Sequence, residues 1–540
     1  MSTHEVVNQV PPRVDVDEFS SNLPLVEAVW HYDAGWAADD LARVGTHVGT
    51  EEFQRDAERA NRIEPELHTH DRYGNRIDEV EYDSSYHRII AAAVAEGAHT
   101  SAWAAPRPGA NVARAATFML FAQVEPGHAC PISMTHSVVP ALAASAGLES
   151  EWLPRLLSRD YDPGLNAGKT SALFGMAMTE KQGGSDVRAN TTRAVDAGDG
   201  SYALTGHKWF CSAPMSDGFL VLAQAPAGLS CFLVPRVLPG GERNVFRIQR
   251  LKDKLGNRSN ASSEIELDRT VGFLLGEEGR GVRTIIEMVS RTRLDCIYGT
   301  TAGMRQATAE AAWHVRHRRA FGALLVDQPA MTAVVADLAL ETEAATATSL
   351  RLARAHDVDA GDEEVAFRRL ATAVSKYWIC KRGPGHAYEA LECLGGNGYT
   401  EAFPLARRYR EQPVMAVWEG SGNVIALDVL RAITREPASL EAFDAEVSLA
   451  GGQHPLFDAH LARTRTLATE VATMDAATAP LHARRLVAAL AVALQSSLLL
   501  RTAPPAVATA FVESRLGQHR GQLYGELPAS ADLAAIVGRV

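Results

Sequence analysis

GMAMTEKQGGSDV, residues Gly175 to Val187, is where the chain changes texture. Before it, apolar residues recur at helical spacing; after it, they fall into short runs broken by Gly, Asp, Asn and Pro. Within it, Met176, Ala177 and Met178 read as a strand ending at Thr179, followed by a tight turn at Gly183-Gly184. Such a turn exposes consecutive backbone N–H groups, with Ser185 at its rim, and can bind phosphate.

Downstream, Leu173–Met178, Tyr202–Leu204, Phe219–Gln224, Cys231–Pro235, Val245–Leu251 and Ser263–Leu267 are strand-like, with no helix-length segment between them. They predict an antiparallel β-domain over 171–275. Upstream, from Ala37 to about Asp160, the pattern is helical, as in Ile89, Ile90, Ala93 and Val94 and again in Ala113–Val124, giving an N-terminal helical domain over 1–170. After Gly276–Gly281 the helical period returns in segments 282–320, 329–356, 363–393 and 415–434, a four-helix bundle over 276–437. The Ala- and Leu-rich remainder, 438–540, holds no cysteine and no lysine and reads as an appended helical domain. The fold class is α+β.

Composition narrows the function. The 540 residues are 46% apolar, enough for a large core, and the net charge of −12 argues against general polyanion binding. Six cysteines show no CxxC and no zinc spacing with His, which predicts a reduced, cytoplasmic protein with no metal. The N-terminus carries no apolar signal core. The apolar run Leu486–Leu500 falls short of the roughly 20 residues of a membrane span and reads as a buried helix. Asn166–Thr170 imitates a phosphate-binding loop, but Gly164 stands one residue too near its lysine.

The second chemistry-bearing stretch is Leu391–Val424. It joins a glycine-rich turn, a Pro404-led run of arginines and an isolated carboxylate, Glu419, which follows apolar Val414–Trp418 and precedes Gly420-Ser-Gly-Asn423. An apolar setting raises a carboxylate pKa by desolvation, which suits a general base.

In its full form Gly175–Val187 resembles the signature of the acyl-CoA dehydrogenase superfamily: hydrophobic, Thr/Ser, Glu, two residues, small, Gly, Ser/Thr, Asp. The resemblance implies FAD. It assigns flavin contacts to Met176, Ala177, Met178, Thr179, Gly184 and Ser185, and to the strand Thr205–Ser212. There Phe210 stands where the family usually has Trp, beside Cys211, and Ser212 stands where a Thr bonds near N5. Arg318 and Phe321 keep the spacing of an Arg-x-x-Phe-Gly element that reaches the FAD of a neighbouring subunit, which implies a homo-oligomer, usually a tetramer. Gln328 comes one residue earlier than the family's Gln. Gly395 and Gly396 resemble the turn under the FAD diphosphate, with Glu392 in place of the usual Gln. Trp418, Ser421 and Asn423 flank the flavin, and Glu419 occupies the position of the base.

That base would take the α-proton of an acyl thioester while a hydride leaves the β-carbon for the flavin. For an acyl-CoA substrate, Ser185 and Arg293 are the candidate contacts. Some members carry the base on a bundle helix beside an Arg resembling Arg293; here the neighbour is Thr292. GMAMTEKQGGSDVRANTTRA, LKDKLGNRSNAS (251–262), SRTRLDC and VWEGSGN resemble the family's AidB-like group, FAD proteins linked to the response to DNA alkylation damage. Two alternatives stand beside dehydrogenation through an electron-transfer partner, the first from that group and the second from the superfamily's chemistry. One is protective binding of double-stranded DNA, for which Arg431 and Arg435 are the candidates; the other is an oxidase that passes electrons to oxygen. The tail adds eight arginines (463, 465, 484, 485, 501, 515, 520, 539) against nine Asp and Glu, a net charge of −1.

Overall fold

The computed structural model of the chain describes residues 3–518 and 521–540. It resolves into two compact units: a barrel unit, Glu52–Pro106 with Glu125–Asp295, and a bundle unit, Met1–Glu51 with Arg107–Val124 and Cys296–Val540.

In the barrel unit the helix Glu51–Arg62 is followed by a hairpin of β1 (Glu66–His70) and β2 (Arg76–Glu81), where the sequence reading expected helix. Leu67 faces Val80, and the Asp71 carboxylate accepts from the backbone N–H groups of Tyr73 and Asn75, both at 2.8 Å. This Asx turn is the local signal that overrides the helical pattern around it.

Seven further strands follow: β3 (Phe174–Ala177), β4 (Arg193–Asp196), β5 (Tyr202–Ser212), β6 (Gly218–Ala225), β7 (Gly228–Pro235), β8 (Arg247–Leu251) and β9 (Ser262–Leu275). β6, β4, β5, β9 and β7 pair in that order, and β7 returns to β6, which closes a barrel; β3 pairs with β6 and β8 with β9. Most pairs are antiparallel, as expected, but β3–β6 and β4–β6 are parallel. The β6–β7 hairpin pairs Phe219 with Val234, Leu220 with Leu233 and Val221 with Phe232, all fully buried. Burial on both faces explains why these strands read as unbroken apolar runs. With Met134, Val138, Trp152, Phe174 and Met288, residues of β6 and β7 form the unit's core.

β9 is far longer than expected, and β5 joins the expected run Tyr202–Leu204 to the strand Thr205–Ser212 that only the resemblance supplied. Lys208 hides that second part from the apolar pattern, because a lysine inside a barrel does not look like a strand residue. β9 is hidden by Asp268-Arg269, where Arg269 takes φ +52° opposite the register shift between Leu204 and Gly206.

The bundle unit carries Pro329–Arg354, Asp362–Glu392, Pro404–Met415 and Gly422–Arg435, together with the later turns of Gly281–His317. The expected helix over 415–434 does not exist as one piece: the chain leaves helix after Met415 and re-enters it at Gly422, and Glu419 lies in the gap. The tail continues as Pro437–Ser448, Pro455–Thr473, Ala479–Thr502, Pro505–Leu516 and Leu533–Val537. Proline opens Pro329, Pro404, Pro437, Pro455 and Pro505 at the first helical position, where its missing N–H costs nothing.

Ala479–Thr502 is, among the described residues, long and apolar enough to cross a membrane, longer than the 15-residue run seen in the sequence. However, 72% of its apolar window is buried inside the fold, as in a core helix. Leu499, Val507, Phe511 and Ile536 of the tail share one core with Val315, Val335 and Leu340. Arg515 bonds Asp337 and Glu341, and Arg501 bonds Glu446. The tail is thus part of the bundle's core. Phe511→Ala should therefore lower stability by about 3–5 kcal/mol, read as a shift in the urea midpoint; a change within experimental scatter would show the tail core to be loosely packed.

Candidate active site

In the barrel unit the predicted ligand residues come from two neighbouring strands. The Trp209 N–H donates to Thr179 O at 2.8 Å, which carries the β3 segment alongside β5. Met176 and Met178 alternate with buried Ala177 and are themselves half-buried against the unit's core, whereas Phe210 and Ser212 alternate with buried Cys211, so β5 turns these two predicted residues away from the side that Cys211 faces. Phe210 is half-exposed and lies under the Lys252 ammonium at 4.7 Å; Ser212 Oγ shares a hydrogen bond with Ser262 Oγ at 3.1 Å. Cys211 points into the core, and burial pushes its thiol up to about 12, so its side chain is withdrawn from any ligand on the outer face.

The glycine turn is held from beneath. Glu180 is fully buried, bonded to Lys208 Nζ at 2.9 Å and to the backbone and hydroxyl groups of Thr191 and Thr192. Burial alone would raise this carboxyl; the hydrogen bonds from Thr191 and Thr192 and the Lys208 ammonium outweigh it and bring it down to about 2. Above this anchor the Gly183 N–H is engaged with Glu180 O at 3.0 Å, so one donor of the expected nest closes the turn itself. A Cβ at Gly184 would lie 2.5 Å from Thr179 Oγ1, whereas at Gly183, φ +131°, it would meet nothing within 4 Å. Gly184 and Ser185 are exposed. Arg293 is half-buried on Gly281–His317, and Thr292 spends its hydroxyl on Val289 O.

Lys169, in the stretch that imitates a phosphate loop, bonds Asp217 at 2.8 Å instead. A cavity of about 420 Å³ lies nearby among Tyr82, Tyr86, Tyr161 and Met215, and no predicted ligand residue lines it.

In the bundle unit, Glu419 sits half-buried at the tip of a turn with φ +56°, followed by Gly420 at φ +109°. A non-glycine residue in this left-handed region costs on the order of 1–3 kcal/mol, and such strain concentrates at functional sites. The surroundings are less apolar than expected, since Val417 is exposed. Trp418 turns its Nε1 into the protein, where no group among the described residues accepts from it.

Ser421 stands at the N-cap position of Gly422–Arg435 without a side-chain capping bond, and Asn423 Oδ1 accepts from Arg484 Nε at 2.8 Å. The Lys381 ammonium and the Arg484 guanidinium lie 3.3 and 3.6 Å from the Cβ that Gly422 lacks. Neither was singled out from the sequence, and Arg484 comes from the tail. Lys376 was missed as well: it is buried on Asp362–Glu392 and donates to Trp418 O at 2.9 Å and Gly420 O at 2.5 Å. A lysine amid Ala371, Ala373, Val374 and Cys380 was the available signal.

Gly395, φ +59°, and Gly396 are exposed, with nothing within 4 Å of either Cβ position. Of the nearby arginines, Arg407 and Arg408 are buried on the carbonyls of Val124 and Gln123, and Arg410 pairs with Glu401, so this run is structural. Arg318 bonds Asn8 O at the base of a small hairpin, β10 (Arg319–Ala320) with β11 (Ala323–Leu324). At its tip Phe321 is 100% exposed with φ +52°. Gln328 gives its amide to Ala320 O, bracing that hairpin.

Arg431 bonds Asp428, and Arg435 is exposed in the last turn of its helix. Five tail arginines are similarly engaged: Arg465 with Asp444, Arg484 with Asn423, Arg501 with Glu446, Arg515 with Asp337 and Glu341, and Arg539 with Glu27 and Glu343. Arg520 lies outside the described residues.

A family model of the adaptive response protein AidB N-terminal domain matches residues 8–163. Models of the acyl-CoA dehydrogenase middle and C-terminal domains match 175–270 and 279–434. The chain is 47% identical over 460 residues to the putative acyl-CoA dehydrogenase AidB of Escherichia coli (strain K12), covering 84% of this chain and 85% of that one. To acyl-CoA dehydrogenase family member 11 of Caenorhabditis elegans it is 29% identical over 450 residues, covering 79% and 72%. The crystal structure of Caenorhabditis elegans ACDH-11 in complex with C11-CoA matches with a TM-score of 0.88 at 25% identity, over 97% of this chain and 95% of that one.

Lys208→Met should destabilise the protein by about 3–5 kcal/mol at neutral pH, because it strands a buried carboxylate. The Glu180 pKa is depressed from 4.5 to about 2, so the stability it contributes is full above 4.5 and is lost as pH falls through 2. The gap between wild type and variant in urea melts should therefore narrow over that window; a gap independent of pH would contradict the assignment.

Proposed function

The chain belongs to the acyl-CoA dehydrogenase family, and from that premise we propose an FAD-dependent oxidoreductase of the AidB type in which Glu419 takes the α-proton of an acyl thioester. The observation that carries this reading is the turn of Glu419, a carboxylate held in a left-handed conformation at the mouth of Gly422–Arg435. An ordinary surface Glu has no need of such a backbone.

The residues present fit FAD. Trp418 Nε1 is a buried donor without an acceptor among the described residues, and Gly183, Gly395 and Gly396 leave their backbone open where a side chain would stand. In the barrel unit Met176, Ala177, Met178, Thr179, Gly184, Ser185, Phe210 and Ser212 would hold it, with Cys211 acting through its backbone. In the bundle unit Gly395, Gly396, Trp418, Ser421 and Asn423 would do so. When bound, FAD supplies the acceptor for the hydride that leaves the substrate β-carbon. Glu419 holds the α-proton, and its backbone N–H is the donor toward the thioester carbonyl, where enolate charge develops.

Arg318 and the bare, strained Phe321 support a contact with a second subunit, since a fully exposed aromatic at positive φ has no use within its own chain. Ser185 and Arg293 are the proposed acyl-CoA contacts. The match to the adaptive-response N-terminal domain supports a role in the response to DNA alkylation damage. Six free cysteines support a reducing compartment such as the cytoplasm.

Anaerobic addition of short- to medium-chain acyl-CoAs to the FAD-loaded protein should bleach the flavin. Glu419→Gln should retain FAD and bleach at least about 100-fold more slowly; bleaching at the wild-type rate would remove Glu419 from the mechanism. Peroxide release on admitting oxygen would mark an oxidase, and salt-sensitive duplex binding without bleaching would favour the DNA-protective alternative.

A further inference from the structure

We propose that Lys376 is the positioning residue of the Glu419 turn: its ammonium clamps the carbonyl oxygens on either side of Glu419 and so sets where the carboxylate stands. The inference rests on the reading of Glu419 as the base.

Lys376 is 1% exposed and sits in the middle of Asp362–Glu392, flanked by buried Thr372, Ala373, Val374, Ser375, Tyr377 and Cys380. Burying an ammonium is costly unless its hydrogens meet acceptors. The acceptors it meets are two main-chain oxygens of one short turn, Trp418 O at 2.9 Å and Gly420 O at 2.5 Å. Four backbone torsions lie between these two carbonyls, the φ and ψ of Glu419 and of Gly420. Holding both oxygens on a single nitrogen constrains those torsions jointly, including the left-handed φ of Glu419. Relaxation of Glu419 to negative φ would rotate the peptide planes apart and remove one oxygen from reach. The clamp therefore opposes the strain that the base position imposes.

The contact with Trp418 has a second consequence. That carbonyl belongs to the same peptide group as the Glu419 N–H. A cation on the oxygen polarises the group and strengthens the N–H as a donor, as hydrogen bonds in a chain reinforce one another. One buried side chain would thus both aim the carboxylate and sharpen the adjacent donor.

The test compares Lys376→Met, Lys376→Gln and Lys376→Arg with wild type and Glu419→Gln, all loaded with FAD. Two readouts are used. The first, hydrogen exchange over residues 416–423, involves no substrate: in Lys376→Met it should accelerate there while the rest of Asp362–Glu392 keeps its protection. The second is acyl-CoA-driven bleaching, which should slow by about 100-fold in Lys376→Met, as expected when a reacting group is displaced by an ångström. Lys376→Arg, which keeps the charge and the donors, should recover part of it. Glu419→Gln should lose bleaching but keep the protected turn. Wild-type exchange over 416–423 in Lys376→Met would overturn the clamp. Failure of all three variants to fold would also overturn it, by making Lys376 a core residue. If Glu419→Gln bleached normally, the base reading would fall, and the exchange readout would decide the clamp alone.

Discussion

The structure turns on how a β-barrel tolerates a buried lysine. Lys208 lies inside the barrel because Glu180 meets it there, and Glu180 is fixed by Thr191 and Thr192. Removing either partner leaves a charge in a low-dielectric interior, a change that costs several times more than the pair contributes. The glycine turn that follows Glu180 inherits its position from this pair. Gly184 rests against Thr179, and Gly183 closes back on Glu180. The acid of the family signature is thus an anchor, and the residues after it are the ones left facing outward.

The bundle unit uses the same device with a different acceptor. Lys376 is also a buried ammonium, but it is satisfied by main-chain oxygens of a turn whose central residue is strained. In both units a lysine that composition would assign to the surface holds a short segment carrying candidate chemistry. Neither segment could keep its conformation on local propensity: one runs through consecutive glycines, and the other places a glutamate at positive φ.

Much of this was legible in the residues. The change from helical to strand texture near Ser171, the doubly buried β6 and β7, and the long helices with their opening prolines follow from periodicity and turn chemistry. What was illegible has physical causes. Lys208 and the Asp268-Arg269 bulge broke the apolar pattern of β5 and β9, because their partners are distant in sequence. The hairpin at 66–81 was lost because His68 and Glu79 leave almost no apolar alternation to see. The break at 416–421 was missed because Val414–Trp418 continues the helical pattern into a turn whose carbonyls are bonded by Lys376, some forty residues earlier. Arg484 and Lys381 gather near Gly422 only through tertiary packing. Charge counting showed a tail near neutrality; the structure adds that most of its described arginines are already bonded.

The proposed chemistry depends on Glu419 removing the α-proton of an acyl thioester. Incorporation of solvent deuterium at the α-carbon of an acyl-CoA, followed by mass spectrometry with FAD-loaded protein in D2O, tests that step apart from the redox chemistry. Wild type should exchange the α-hydrogen and Glu419→Gln should not. Equal exchange by the two proteins would contradict the claim.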